Sequence, residues 1–283
     1  MISTTRIAYC LLVHKNPPQV ARLLRALWDP GHVYYVNVFR AQDAKAQVEW
    51  RRAFEPLQDP RLTVVYRYGA GWATFKCVAA TLDAMRWFRD TEYDYFVNLT
   101  GQCYPIQPRE EINRRLAGST QTYMEAKDDS DDPRIMRRYT HKVFVLPISE
   151  HGAAFMYPRI RKELPDGMRP YGGSAYFCMR KKHVAFALDY VERHEAFLKF
   201  YRRATDPDET FFQAVLMNSP LKNEWVDENL RYIDWPQSAT TPKILTLRDL
   251  PALQESGMLW ARKFDVNVDA RILDELDRQY GFV

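Results

Sequence analysis

Glu209, Arg231 and Lys263 are the residues of this chain whose types and surroundings most suggest chemistry. Glu209 follows Asp208 in the first turn of a helix expected over Asp208 to Asn218, whose Phe211, Phe212 and Val215 face a core. A carboxylate there is fixed in direction, and its plainest role is to complement the helix dipole, worth about 0.3–1 kcal/mol. Arg231 in Leu230-Arg231-Tyr232-Ile233-Asp234-Trp235 and Lys263 in Ala261-Arg262-Lys263-Phe264-Asp265 are cations set among apolar residues. Each calls for an anion, either a structural partner such as Asp234 or Asp265, or a phosphate. Two Asp-x-Asp triplets, Asp129-Ser130-Asp131 and Asp206-Pro207-Asp208, have a spacing that can hold a divalent ion against a nucleotide diphosphate. A solvated acidic turn explains the first more simply, and a helix N-cap the second. The histidines (His14, His32, His141, His151, His183, His194) show no HxH or HExxH spacing, and GxSxG and P-loop motifs are absent. Carboxylates, arginines, lysines and aromatics remain, the side chains suited to a sugar and a diphosphate.

The elements that must position these residues alternate. A strand over 7–13 leads to a helix over Pro17 to Leu27, where Asn16 can cap, proline suits the first turn, and Val20, Leu23, Leu24 and Leu27 share one face. A strand from His32 to Val38, a helix from Ala44 to Phe54 and a strand over Leu62 to Tyr66 follow, and the alternation predicts a parallel sheet. Gly69-Ala70-Gly71-Trp72 precedes a helix from Ala73 to Phe88, but lacks the full spacing of a dinucleotide loop. The run from Tyr93 to Ile106 is apolar without strict alternation and ends in a Gly and Pro loop, as expected of a strand covered on both faces that delivers a loop to a site. After a helix from Pro108 to Leu116 the second half is less regular. It contains a short strand at Thr122 to Glu125, a polar loop from Lys127 to Pro133, a basic stretch from Arg134 to Tyr139, and Gly172-Gly173-Ser174 turning into a strand. Helices over 181–193 and 195–203, a strand from Leu230 to Trp235 and a helix from Ala270 to Tyr280 complete it. A single α/β domain over 1–283 is expected, with a nucleotide-binding half (1–118) and an acceptor and catalytic half (119–283).

With 283 residues, 46% of them hydrophobic, the chain can bury a substantial core, which argues against disorder. A formal charge of +4 gives little support for nucleic-acid binding. Cys10, Cys77, Cys103 and Cys178 form no CxxC pair and suggest a reducing compartment. The first apolar run is too short for a membrane span and lacks a cleavage pattern, so a cytoplasmic protein is expected. The basic Arg159-Ile160-Arg161-Lys162 stretch is read as a solvated surface, with peripheral contact to the inner membrane as the alternative.

Taken together, several runs resemble the core-2/I-branching β-1,6-N-acetylglucosaminyltransferases, a family that includes the peptide O-xylosyltransferases, in a bacterial-type form. They are Ile7-Ala8-Tyr9 with Val13-His14-Lys15, Arg22-Leu23-Leu24-Arg25-Ala26, the Tyr93 to Ile106 run, Gly172-Gly173-Ser174, Pro207-Asp208-Glu209, Arg231-Tyr232-Ile233-Asp234-Trp235 and Ala261-Arg262-Lys263-Phe264-Asp265. The resemblance implies a GT-A-like mixed sheet flanked by helices. It also implies inverting, metal-independent transfer from a nucleotide-diphosphate sugar, such as UDP-GlcNAc or UDP-xylose, to a hydroxyl of a glycan or glycolipid. In these terms Glu209 is the catalytic base, and Arg231 and Lys263 hold the donor diphosphate. Leu12, Val13, His14 and Phe39 meet the nucleoside, while Glu125, Arg134, Trp72, Gly173 and Ser174 lie on the acceptor side. No cofactor or metal is implied. Phe39 and Cys103 stand where the family usually has aspartates. The rival readings are a metal-dependent transferase and a non-catalytic protein that binds sugar nucleotides or glycans.

Overall fold

The structure, a computed structural model, describes residues 5–41, 43–69, 74–132, 136, 141–146, 153–161, 164–237 and 241–282. Trp72, Arg134 and Lys162 lie outside the described residues. In chain order the strands are β1 (Ile7–Val13), β2 (Val33–Val38), β3 (Leu62–Val65), β4 (Tyr95–Thr100), β5 (Cys103–Pro105), β6 (Thr122–Met124), β7 (Lys127–Asp128), β8 (His141–Leu146), β9 (Ala153–Arg161), β10 (Tyr171–Gly172), β11 (Phe177–Arg180), β12 (Trp225–Val226), β13 (Arg231–Ile233) and β14 (Trp260–Arg262). The α-helices are α1 (Pro17–Leu27), α2 (Ala44–Phe54), α3 (Phe75–Trp87), α4 (Arg109–Ala117), α5 (Lys181–Arg193), α6 (Glu195–Tyr201), α7 (Phe211–Met217), α8 (Leu250–Glu255) and α9 (Arg271–Tyr280).

Seven strands form the main sheet in the order β12-β6-β11-β4-β1-β2-β3. β4, β1, β2 and β3 run parallel, β11 is antiparallel to both β4 and β6, and β12 is parallel to β6. The expected mixed α/β architecture, a mostly parallel sheet flanked by helices, is therefore present. Alternation along β1 and β2 explains both layers. Tyr9, Leu11, Val13, Tyr34, Val36 and Val38 face a core shared with α1, α2, α4 and α9, whereas Ala8, Cys10 and Tyr35 face one shared with α3, α5, α6 and α7. Both faces are covered, as the continuous apolar character predicts.

The run from Tyr93 to Ile106 splits where the reading placed its loop. β4 stays in the main sheet, and after Gly101 and Gln102 the chain becomes β5, the edge of a second sheet ordered β13-β14-β5. Gly101 is required at this crossing, because a Cβ would stand 2.8 Å from the Val20 side chain of α1. Gln19, 2% exposed, donates from Nε2 to the carbonyls of Gly101 (2.8 Å) and Phe264 (3.1 Å), which ties α1 to both sheets.

Three local expectations change. Asn16 has a left-handed backbone (φ 54°) and makes no cap bond to α1; its amide donates to Asp265 instead, at 3.2 Å. The helix expected over Asp208 to Asn218 is divided into a 3-10 turn at Pro207–Glu209 and α7, with Thr210 (φ −140°) between them. The Glu209 carbonyl accepts from Gly173 N–H at 2.9 Å, and the Asp206 side chain makes no cap bond to the turn. Part of the polar loop pairs as β7 with β10. No helix among the described residues is long and apolar enough to cross a membrane.

On the far side of α1 the Arg22 guanidinium meets Asp277 of α9 at 2.7 Å, and the Tyr104 hydroxyl donates to the other carboxylate oxygen. Asp277 is 8% exposed, and although Arg22 keeps Asp274 at 2.8 Å, removing Asp277 takes away one of its two carboxylates and leaves the buried Tyr104 hydroxyl without its acceptor. Asp277→Ala is expected to lower the unfolding free energy by about 1–3 kcal/mol, the cost of a buried donor left unsatisfied. Urea unfolding should show this as a lower midpoint with an unchanged slope; a loss under about 1 kcal/mol would place the pair among ordinary surface bridges.

Candidate functional site

Three chain segments ending at one edge of the sheets bring cations together: His14 and Lys15 after β1, Arg40 after β2, and Arg262 with Lys263 at the end of β14. The carboxyl ends of parallel strands are where ligands sit in open α/β sheets. The His14 ring is held down to about 4 by partial burial and by the charges of Arg40, Lys15 and Lys263, although the residue as a whole is exposed. Burial, Arg262 and Lys15 likewise hold the Lys263 ammonium below the usual lysine range, opposed by Asp265.

Asp265 acts on Lys263 only from a distance and forms no ion pair with it. Its carboxylate takes Lys15 at 2.7 Å together with Asn16, and among the described residues Lys263 has no ion pair. The partner that sequence alone offered for Lys263 is therefore already engaged. Asp234 is also engaged, by Lys243 at 3.6 Å, and among the described residues pairs with no arginine. Arg262 lies over the Tyr176 ring at 4.7 Å and has no carboxylate partner among the described residues. It is a cation that the sequence reading passed over, although it adjoins Lys263 in the same short run.

Arg231, expected to reach a phosphate, is turned inward. It is 5% exposed, and Nη2 donates to the carbonyls of Asn98 (3.0 Å) and Phe177 (3.1 Å). Nη1 donates to the Asn229 carbonyl and contacts Cys178 Sγ at 3.2 Å. The guanidinium also faces the Trp260 ring at 5.0 Å and the Tyr176 ring at 5.8 Å.

On the nucleoside side only part of the expected set faces outward. Val13 is fully buried, and its carbonyl accepts from Phe39 N–H at 2.8 Å. Leu12 is half-buried, and Phe39, 8% exposed, has its ring 6.1 Å from that of Tyr68. The Tyr68 hydroxyl in turn donates to Asp83 at 2.8 Å. An aromatic pair thus stands where the resemblance leads one to look for a carboxylate. Cys103, 1% exposed, contacts the backbone N–H and hydroxyl of Thr100 at 3.4 Å, directly across from Arg262 in the β5–β14 pair.

The acceptor-side residues are joined through two glycines. A Cβ on Gly173 would collide with the Glu125 carbonyl oxygen, and one on Gly172 with the Asp129 carboxylate. Gly173 N–H donates to the Glu209 carbonyl, so this residue separates the two glutamate-bearing segments by one peptide layer. Gln213 of α7, fully buried, closes the arrangement by donating to the carbonyls of Ser174 (2.8 Å) and Glu125 (3.4 Å). Burial and the nearby Asp227 raise the Glu125 carboxyl, while Lys127 and Arg231 oppose them. Asn229 donates to its Oε1 at 2.7 Å.

The acidic triplets do not converge on this site as a ligand set. Asp129 is buried under Gly172 and Asp131 is exposed; among the described residues no group of three or more His, Cys, Asp or Glu side chains could hold a metal ion. A cleft of about 690 Å³ between α2 and β3, lined by Arg51, Phe54, Leu62, Val64 and Tyr66 among others, shares no residue with the site.

Comparison with known proteins matches the core-2/I-branching enzyme family model over residues 7–254. The chain belongs to that family of glycosyltransferases. Among the relatives of this core-2/I-branching chain, a xylosyltransferase of Ciona intestinalis is 26% identical, over 99% of this chain and 35% of the relative. Xylosyltransferase 1 of Rattus norvegicus is 25% identical over 96% of the chain and 35% of the relative, and xylosyltransferase 2 of the same organism 26% identical over 96% and 33%. The chain thus spans about a third of the length of these relatives.

Two measurements check the site's construction. In NMR titrations, with His14→Gln used for assignment, the His14 ring should titrate near pH 4 in the free protein and shift upward when pyrophosphate binds, because an anion offsets the cations that depress it. Gly173→Ala should cost about 1–3 kcal/mol, since the obstructing atoms are backbone; an unchanged melting temperature would mean that the two glutamate segments are not tightly apposed.

Proposed function

We propose that this core-2/I-branching chain transfers a sugar from a nucleotide-diphosphate donor to a hydroxyl of a glycan or glycolipid, with inversion and without a metal ion. The observation that carries this reading is the pair Arg262 and Lys263, two adjacent cations at the end of β14 with no carboxylate partner among the described residues. The names of the relatives favour a xylosyl donor, and UDP-xylose and UDP-GlcNAc are the first donors to try.

In this mechanism the acceptor hydroxyl oxygen attacks the anomeric carbon while the Glu209 carboxylate takes its proton. The bond from the anomeric carbon to the phosphate oxygen breaks, and its electron pair leaves with the nucleoside diphosphate. Lys263 and Arg262 stabilise that charge from fixed positions, so little reorganisation is needed as it develops. Glu125, held by Asn229, and Ser174, held by Gln213, face the acceptor. Phe39 and Tyr68 form the wall beside the nucleoside.

Glu209→Gln is expected to abolish transfer while nucleoside-diphosphate affinity stays near that of the parent. Lys263→Gln and Arg262→Gln should each weaken that affinity by about tenfold or more, read by calorimetry, because hydrogen bonds to charged groups are worth about 1.5–3 kcal/mol. Turnover should survive excess chelator. A fully active Glu209→Gln variant removes it as the base, and loss of turnover on chelation, restored by a divalent ion, would replace the cation mechanism with a metal-dependent one.

A further inference from the structure

Both Nη groups of the Arg231 guanidinium are committed, and Nε, which has no hydrogen-bond partner among the described residues, is buried. Three carbonyl oxygens, those of Asn98, Phe177 and Asn229, occupy its forks, Cys178 Sγ stands at 3.2 Å, and the Trp260 and Tyr176 rings lie across it. At 5% exposure it has no open face for a phosphate, and a ligand would have to displace carbonyls that would then be buried without partners.

What Arg231 does hold is Asn229. The Arg231 backbone N–H donates to Asn229 Oδ1 at 2.8 Å, and its Nη1 donates to the Asn229 carbonyl. With Oδ1 occupied in this way, the amide nitrogen of Asn229 is turned toward Glu125, where it donates to Oε1 at 2.7 Å. Asn229 is 4% exposed, so the amide has little room to choose another orientation.

We propose that Arg231 is a positioning residue: through Asn229 it sets the place and orientation of the Glu125 carboxylate on the acceptor side, and it does not bind the donor diphosphate. The charges facing Glu125 are Arg231 and Lys127 on one side of the balance and Asp227 on the other. Losing the Asn229 hydrogen bond or the Arg231 charge therefore removes stabilisation of the ionised carboxylate.

The inference rests on the acceptor-side reading of Glu125, and its test separates the two. The variants are Arg231→Gln, Arg231→Lys and Asn229→Leu, the last leaving the arginine side chain intact. In the transfer reaction, Arg231→Gln and Asn229→Leu should raise the acceptor KM by about tenfold or more through misplacement of the carboxylate. UDP affinity by calorimetry should stay within about twofold of the parent, against the marked loss of affinity in Lys263→Gln. Arg231→Lys should recover part of the acceptor effect and leave UDP affinity unchanged.

A second readout needs no substrate. In carbon-13 NMR of the glutamate carboxyls, with Glu125→Gln for assignment, the Glu125 titration should move to higher pH in Asn229→Leu and in Arg231→Gln. If Arg231→Gln does not fold, Asn229→Leu alone decides. An unmoved Glu125 titration in Asn229→Leu, or a loss of UDP affinity in Arg231→Gln equal to that in Lys263→Gln, overturns the proposal. Absence of any UDP or pyrophosphate binding in the parent chain, with the Glu125 titration responding as stated, would sink the donor reading and leave the positioning role standing.

Discussion

Like charges crowded at the end of one sheet set the terms for the rest of this structure. Partial burial together with the charges of Arg40, Lys15 and Lys263 keeps the His14 ring neutral at ordinary pH, and burial with Arg262 and Lys15 holds Lys263 itself below the usual lysine range. Such a cluster is unfavourable when empty, so it persists only because the surrounding fold fixes it. The small sheet does this: β14 is paired on one side by β13 and on the other by β5, and Leu245 N–H donates to the Lys263 carbonyl at 2.8 Å. Asp265 takes up Lys15 and so relieves one charge without touching the pair that remains. An anion placed among these cations would offset the repulsion between them, as the proposed donor diphosphate requires.

The opposite wall of the site follows a different rule, close backbone approach. Gly172 and Gly173 let β10 and its continuation pass against Asp129 and Glu125 at distances no Cβ permits. The same stretch then accepts from Gln213 and donates to the Glu209 carbonyl. That last bond also explains the break at Thr210, because a carbonyl used by Gly173 is withdrawn from the helix ladder. Glu209 is therefore placed by a neighbouring segment rather than by a regular helix, and the short 3-10 turn is the consequence. Asn98 joins the two walls from below: its side chain holds Ala175 O at 2.6 Å and Phe177 N–H at 2.8 Å, on either side of the Tyr176 whose ring carries Arg262.

Local pattern alone reveals the main sheet, because its first half is built from residues close in sequence. The apolar runs at β1, β2 and β4 and the stripe Val20, Leu23, Leu24, Leu27 lead to strands and a helix with nearly the expected bounds. Non-local pairing hides the rest. β5, β13 and β14 are three residues each, and β5 lies more than a hundred residues before the other two, so no periodicity announces their sheet. For the same reason the sequence singles out Arg231 as a cation among apolar residues but cannot say that its fork is filled by carbonyls of β4 and β11. Asn229 and Gln213 carry no signal at all, since an amide becomes informative only once its neighbours in space are known. Arg262 was the more legible omission: two adjacent cations closing a short apolar run are hard to explain as surface when Trp260 and Ala261 before them are buried.

Phe39 and Cys103, where the resemblance implies aspartates, fit this electrostatic setting. Cys103 lies directly across from Arg262 in an antiparallel pair, where side chains stand about 4.5–5.5 Å apart at Cβ. An aspartate at that position would sit within reach of the guanidinium and claim it as a partner, as Asp265 claims Lys15. A thiol carries no such charge, so Arg262 keeps its positive charge for whatever enters between the strand ends. Phe39, beside Arg40, likewise carries no charge, and its ring packs near that of Tyr68. At both positions an uncharged side chain stands beside an arginine. An uncharged side chain beside each of these arginines leaves the local field more positive than an acid would, which favours the proposed holding of a diphosphate by side chains.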